Sequence, residues 1–261
     1  MDFTRERTLD GVTERLFDLT VAGERVPGVV WAPEAAEGPR PLVLMGHGGS
    51  QHKKIGSLAA RARGYARRLG YAVAAIDAPG HGDRVSRDEA MALSREIAAR
   101  VRDGAPMRDD FAASMAMRVR QAVPEWKAAL DAVQSLDFVG RGKVGYWGVS
   151  MGTALGVPFV AQEPRIGAAV FGLAGLRPGA SAMAEAAARI TIPVEFIFQW
   201  DDAIASRESG LALFDAFGSK EKTMHANPGG HLAIPTFEGE AWERFFQRHL
   251  AEATSTGQTP R

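Results

Sequence analysis

The chain has 261 residues, 46% hydrophobic and 24% charged, with 31 basic and 31 acidic side chains and a formal net charge of +0. Balanced charge with scattered arginines argues against nucleic acid or an anionic membrane surface as partner, and zero cysteines excludes disulfides, thiolate metal sites and a cysteine nucleophile. No uncharged apolar run reaches membrane-spanning length and Met1–Arg15 has no apolar core of the signal-peptide kind, so a cytoplasmic protein is expected.

In chain order, Leu16–Val21 and Val26–Trp31 read as an antiparallel hairpin at a sheet edge, joined by the turn formers Ala22-Gly23-Glu24-Arg25. Pro41–Met45 is a short buried strand that runs into Gly46-His47-Gly48-Gly49. Ile55, Leu58, Ala59, Ala62, Tyr65, Ala66 and Leu69 share one helical face, closed by Gly70. Tyr71–Ile76 is the next buried strand and ends at Asp77. Arg84–Gln121 is too long for a simple connection and reads as two inserted helices. In the first, Met91, Ile97 and Val101 face inward; the second is capped by Asp109 and Asp110, with Phe111, Met115 and Val119 on one face. The methionines here, Met91, Met107, Met115 and Met117, suit either an adaptable pocket wall or plain core.

Pro124 stands where a helix would begin, with Trp126, Leu130 and Val133 on its inner face. Val144–Trp147, Ile166–Phe171 and Pro193–Phe198 are further buried strands. Leu211, Phe214 and Phe217 mark a helix, Lys222–His225 a weak last strand, and Trp242, Phe245, Phe246 and Leu250 a final amphipathic helix. Alternation of strands and helices predicts an α/β fold with a mostly parallel sheet covered on both faces. The expected organisation is one domain over 1–253 with a helical insertion at 84–121, then a disordered polar tail at 254–261.

Gly148-Val149-Ser150-Met151-Gly152 lies between the Val144–Trp147 strand and a small-residue helix starting at Thr153, despite Pro158. In that context G-x-S-x-G is a nucleophile elbow: small neighbours let the chain turn tightly and lift the serine oxygen off the strand end. A serine hydroxyl needs a base. Of the six histidines, His231 follows the last strand in a Pro-Gly-Gly loop and fits the order serine, acid, histidine. His47 and His81 sit in early glycine-bounded turns, His225 in the weak strand, and His249 on the last helix, where a solvated side chain is expected. The acid comes from Asp201-Asp202; Asp202 is favoured by its spacing to Ile204, with Asp201 as the other carboxylate. Oxyanion donors are expected from the Met151 and Gly49 N–H groups. Gln51, His52, Met91, Met115 and Trp200 are the candidate substrate-pocket residues. No metal-ligand spacing and no phosphate-cradling loop stands out, so no cofactor and no metal are expected.

The motifs Gly46-His47-Gly48-Gly49, Asp77-Ala78-Pro79-Gly80-His81-Gly82, Gly148 to Gly152, Asp201-Asp202 and Gly229-Gly230-His231 together resemble the α/β-hydrolase superfamily, from the Leu16 hairpin to the Leu250 helix. Within it the chain is similar to dienelactone-hydrolase-like serine esterases, although dienelactone hydrolases proper carry cysteine where Ser150 stands. Haloalkane dehalogenases and epoxide hydrolases carry aspartate there. The resemblance implies a serine hydrolase acting on a small carboxylic ester, thioester or lactone through an acyl-enzyme. Amide or C–C cleavage or acyl transfer by the same triad, and a non-catalytic binding module on this fold, are the alternatives. The sequence leaves oligomeric state open.

Overall fold

The computed structural model describes residues 1–35, 38–103, 111–177 and 179–250. Met107, Asp109, Asp110 and the tail at 254–261 lie outside the described residues, as do the side chains of Val101 and Phe111. Nine strands form one sheet: β1 Phe3–Leu9, β2 Val12–Val21, β3 Glu24–Pro33, β4 Leu42–Gly46, β5 Ala72–Ile76, β6 Val144–Gly148, β7 Ile166–Gly172, β8 Val194–Gln199 and β9 Lys222–Asn227. Their order is β1-β2-β3-β5-β4-β6-β7-β8-β9. The first three strands are antiparallel, β3 meets β5 antiparallel, and from β5 through β9 every pairing is parallel.

The hairpin turns are tighter than the sequence pattern suggested. Val21 pairs directly with Glu24, which leaves a two-residue turn, Ala22-Gly23, with both φ angles positive (50° and 85°). That geometry matches the right-handed strand twist. Asp10-Gly11 repeats it (φ 51° and 72°) and joins β2 to β1, a strand that sequence patterning missed. Its residues are exposed after Phe3, and Arg5, Glu6 and Arg7 give no apolar alternation to read. The Asp-Gly dipeptide was the available signal.

Residue parity divides the core. Leu42, Leu44, Val144 and Tyr146 point to one face, where helices α3 (Phe111–Gln134), α4 (Met151–Val160), α5 (Ser181–Arg189) and α6 (Arg207–Ala216) pack. Val43, Met45 and Trp147 point to the other, covered by α1 (Gly56–Leu69) and α7 (Glu238–Leu250) through Leu58, Tyr65, Trp242 and Phe246. Gly70 closes α1 in the left-handed conformation (φ 70°).

Two helical expectations change. No helix starts at Pro124: α3 runs unbroken from Phe111 to Gln134 with Pro124 inside it. A proline there forgoes one backbone bond to the preceding turn. Trp126, Leu130 and Val133 nevertheless bury the distal half of this helix in the core, and that packing outweighs the loss. The expected 84–121 boundary therefore falls within a continuous helix, preceded by α2 (Arg87–Asp103). Helix α5 was not anticipated: it is nine residues long, and its buried positions, Ala186 and Ala187, carry alanine in place of the large apolar side chains that mark the other helices.

Close backbone approach fixes where the serine turn sits. A Cβ built on Gly152 would lie 2.5 Å from the Gly46 carbonyl oxygen, and one on Gly148 would lie 2.8 Å from the Gly152 oxygen. Gly152→Ala should therefore lower unfolding free energy by at least ~1–3 kcal/mol, the usual cost of overpacking. Gly142→Ala, where a Cβ meets nothing within 4 Å, should be near neutral. Urea denaturation of the two variants checks this.

Candidate active site

β6 ends at Gly148 and α4 begins at Met151, so Ser150 carries the whole reversal. Its φ of 57° and ψ of −118° are strained for a residue with a Cβ. The surroundings over-determine that conformation. Ser150 N–H donates to the Gly172 carbonyl at the end of β7 (2.8 Å). The fully buried Thr153 hydroxyl lies 2.8 Å from the Gly148 carbonyl and 2.7 Å from that of Gly172, and it accepts the Gly172 N–H at 2.8 Å. Tyr146 OH donates to the Gly152 carbonyl (2.8 Å). Strand end, turn and helix start are thus tied together by side chains buried beneath them.

Three side chains distant in sequence meet above this turn. His231 Nε2 lies 2.9 Å from Ser150 Oγ, and His231 Nδ1 lies 2.7 Å from Asp202 Oδ2. The second oxygen of Asp202 accepts the Ile204 and Ala205 N–H groups (2.7 and 3.1 Å), which aims the carboxylate at the ring. A carboxylate accepts only, so Nδ1 carries the proton and the Nε2 lone pair faces the serine hydroxyl. Asp202 and His231 are buried.

Asp201 points elsewhere: Oδ2 accepts the Gly229 N–H (3.1 Å) and Oδ1 pairs with Arg207 (3.2 Å). It holds the glycine turn that leads to His231. Gln199 Nε2 donates to the Pro228 and Gly230 carbonyls (both 3.4 Å) and supports the same loop.

The loop after β4 is fixed from below by a buried neutral histidine. Ala78 N–H donates to His47 Nε2 (3.0 Å), so Nδ1 bears the proton and donates to the Gly48 carbonyl (2.8 Å). Gln51 closes the turn: its N–H reaches the Gly48 carbonyl (3.3 Å) and its Oε1 accepts the Gly48 N–H (3.1 Å). Among the described residues, no acceptor takes the Gly49 or Met151 N–H. Gly152 and Gly46 are in contact, so the two loops that bear these donors adjoin.

A second buried network, centred on the first residue of the Asp77–Gly82 motif, anchors this loop to the one after β5. Asp77 is fully buried; it accepts the Lys53 N–H (2.8 Å), the Lys53 ammonium (2.7 Å) and the Asp83 N–H (2.9 Å). Arg84 makes a two-pronged pair with buried Glu125 of α3 (2.7 and 2.9 Å), fastening the start of the inserted segment.

The expected pocket residues fall in other settings. Gln51 is engaged with its own loop and His52 is exposed. Met91 is 38% and Trp200 46% exposed, the latter lying beneath the Arg207 guanidinium (4.6 Å). Met117 is exposed, whereas Met115 packs against the main core with Val119, so the core reading holds for Met115. Ile97 of α2 lies against the loop after β4: its Cδ1 is 3.7 Å from where a Cβ on Gly49 would stand. His249 is not solvated as expected; its ring lies tilted against Phe245 (centroids 4.7 Å apart) and its side chain is 12% exposed. Sequence spacing also showed no metal-ligand set, yet the fold gathers Glu195, His225 and Glu238 from three elements to within 4.8 Å.

No family model matches the chain, and no curated protein matches it. Solved structures do. A cold-adapted esterase from an Arctic intertidal metagenomic library, in its polyethylene glycol-bound form, is 35% identical over 96% of this chain and 100% of its own, with a TM-score of 0.78. The zinc-bound structure of a cold-adapted esterase from an Arctic intertidal metagenomic library is 32% identical over the same shares, at 0.73. Acetyl xylan esterase from Paenibacillus sp. R4 shares the fold at 17% identity, over 95% of this chain and 88% of its own, at 0.71. Sheet order, covering helices and the serine turn define an α/β-hydrolase. The chain belongs to the esterases of the α/β-hydrolase superfamily. Among the described residues no helix is long and apolar enough to cross a membrane.

Burial drives the His47 pKa down to about 4. The unfolded chain therefore takes up the proton first, near pH 6.5, and the folded one only near 4. The stability that neutral His47 supplies is whole above pH 6.5 and drains as pH falls towards 4, by about 3 kcal/mol for a shift of this size. Urea denaturation at pH 7 and pH 4.5 should show a smaller acid loss in His47→Gln than in wild type.

Proposed function

We propose that the protein is a serine esterase that cleaves a small carboxylic ester through an acyl-enzyme, with Ser150 as nucleophile, His231 as general base and acid, and Asp202 as the orienting carboxylate. The relay of 2.9 and 2.7 Å contacts from serine to imidazole to carboxylate carries this reading. His231 Nε2 takes the hydroxyl proton as Ser150 Oγ adds to the carbonyl carbon. The charge that collects on the carbonyl oxygen is met by the Gly49 and Met151 N–H groups, both free to donate. The C–O bond of the ester then breaks, and the imidazolium gives its proton to the departing alcohol. Water repeats the sequence on the acyl-enzyme and regenerates the serine.

Asp202 stabilises the imidazolium and holds the ring in the right tautomer; it need not accept the proton. Rigid N–H donors that develop no reorganisation cost are each worth about 3–4 kcal/mol of barrier. Ile97, over Gly49, is the side chain best situated to bound the acyl group. A dienelactone-hydrolase-like ancestry accords with the quoted motifs, with Ser150 in place of the cysteine of those enzymes, and the site of action we take to be cytoplasmic.

Ser150→Ala should abolish hydrolysis of p-nitrophenyl acetate, and a fluorophosphonate should label wild type at Ser150 and leave the variant unlabelled. Absence of an adduct in folded wild type would return the chain to the binding-module reading. Asp202→Asn should cost about 10⁴ in kcat, by analogy with other triads. Asp201→Asn should cost far less. Across a series of p-nitrophenyl esters, Ile97→Ala should move the preferred acyl chain to greater length and Ile97→Trp to shorter. Unchanged preference in both would place the acyl group elsewhere.

A further inference from the structure

We propose that Glu195, His225 and Glu238 form a binding site for one divalent transition-metal ion, separate from the serine, histidine and aspartate of the triad. Glu195 is on β8, His225 on β9, and Glu238 is the first residue of α7. The strand register pairs Glu195 with Thr223 and Ile197 with His225, so Glu195 and His225 share one face of the sheet, one diagonal step apart. α7 delivers Glu238 onto that face. His225 Nδ1 lies 2.7 Å from Glu238 Oε2 and 3.9 Å from Glu195 Oε1. One donor atom from each residue lies within 4.8 Å of the others. Ligands about 2.0–2.2 Å from a tetrahedral zinc stand roughly 3.4 Å from one another. The 2.7 and 3.9 Å spacings bracket that value, and side-chain movements of up to about 1 Å would bring the three donors to it.

The observation that points to a cation is Glu195 Oε1. The residue is 6% exposed, and this oxygen has no hydrogen-bond partner although it is buried and faces the imidazole. A buried carboxylate oxygen left without a donor is costly. The other cation of the neighbourhood, Arg244, is on the surface of α7 and pairs with Glu240 (3.7 Å). Glu238 is already steadied as metal-binding carboxylates are: its second oxygen accepts from Asn227 Nδ2 (2.8 Å). One imidazole with two carboxylates suits Zn²⁺, Co²⁺ or Mn²⁺ better than Mg²⁺ or Ca²⁺, which favour oxygen alone.

An ion here would cross-link β8, β9 and α7. Asn227, beside it, accepts the Trp200 N–H through its carbonyl (2.7 Å). The site therefore sits at the base of both loops that present Asp202 and His231, and its role is to brace them. No step of ester cleavage passes through it.

The test is calorimetric titration of EDTA-treated full-length protein with ZnCl₂, with thermal unfolding followed in parallel and MgCl₂ as the contrasting probe. The expected result is one Zn²⁺ per chain, a raised Tm, and no comparable response to Mg²⁺. Glu195→Gln and His225→Gln, each verified as folded by circular dichroism, should weaken that binding by more than the ~10–100-fold typical of outer-shell changes. Loss of binding in whichever of the two folds supports the site. No stoichiometric binding to wild type, or undiminished binding in a folded variant, overturns it. The serine chemistry is scored separately by fluorophosphonate labelling, which the metal-site variants should leave intact.

Discussion

The contact on which the rest of the structure turns is backbone against backbone: Gly152, at the start of α4, rests on the Gly46 carbonyl at the end of β4. No side chain fits between them. Because they touch, the loop after β4 and the turn after β6 share one edge of the sheet, and Ser150 has no room for a relaxed conformation. The strain is of the order of 1–3 kcal/mol. It is held by bonds made underneath, from Thr153 and Tyr146, and those of Thr153 to Gly172 exist only if β6 and β7 are in register. A local distortion thus rests on the whole parallel sheet.

Around that edge, each loop is tied down by a buried group with its bonds matched. Asp77 collects donors from Lys53 and Asp83; Asp202 collects Ile204, Ala205 and His231; neutral His47 spans Ala78 and Gly48. Such groups are favourable when fully bonded and expensive when not. The loops accordingly have one low-energy arrangement rather than many. The fold itself therefore holds Ser150, His231 and Asp202 in contact.

Much of this was legible in the chain, and the reasons are specific. Buried parallel strands such as Leu42–Gly46 and Val194–Gln199 are nearly continuous apolar runs, and the G-x-S-x-G turn fixes which edge is which. Ser150, Asp202 and His231, which chain order singles out, each stand just beyond a strand, and the fold brings them within hydrogen-bond distance. What stayed hidden depends on neighbours that sequence spacing does not reveal. Strand β1 is paired by its backbone and has no apolar face. Pro124 looks like a helix start until the burial of Trp126 and Leu130 is known. Gln51 resembled a pocket residue and instead bonds its own turn, and Ile97 was recognisable as inward-facing but not as a neighbour of Gly49. The Glu195–His225–Glu238 cluster has no local signature, since a strand pairing and a helix entry bring it together.

The outermost strand has a consequence beyond architecture. β1 leaves one side of its backbone unpaired, the condition under which sheets recruit further chains and polymerise. Here that flank is short and bears Arg5, Glu6 and Arg7, with six of its seven residues exposed to water. An incoming copy would have to desolvate those charges to dock. The strand that carries the least packing information is, by its charges, a poor template for a further strand.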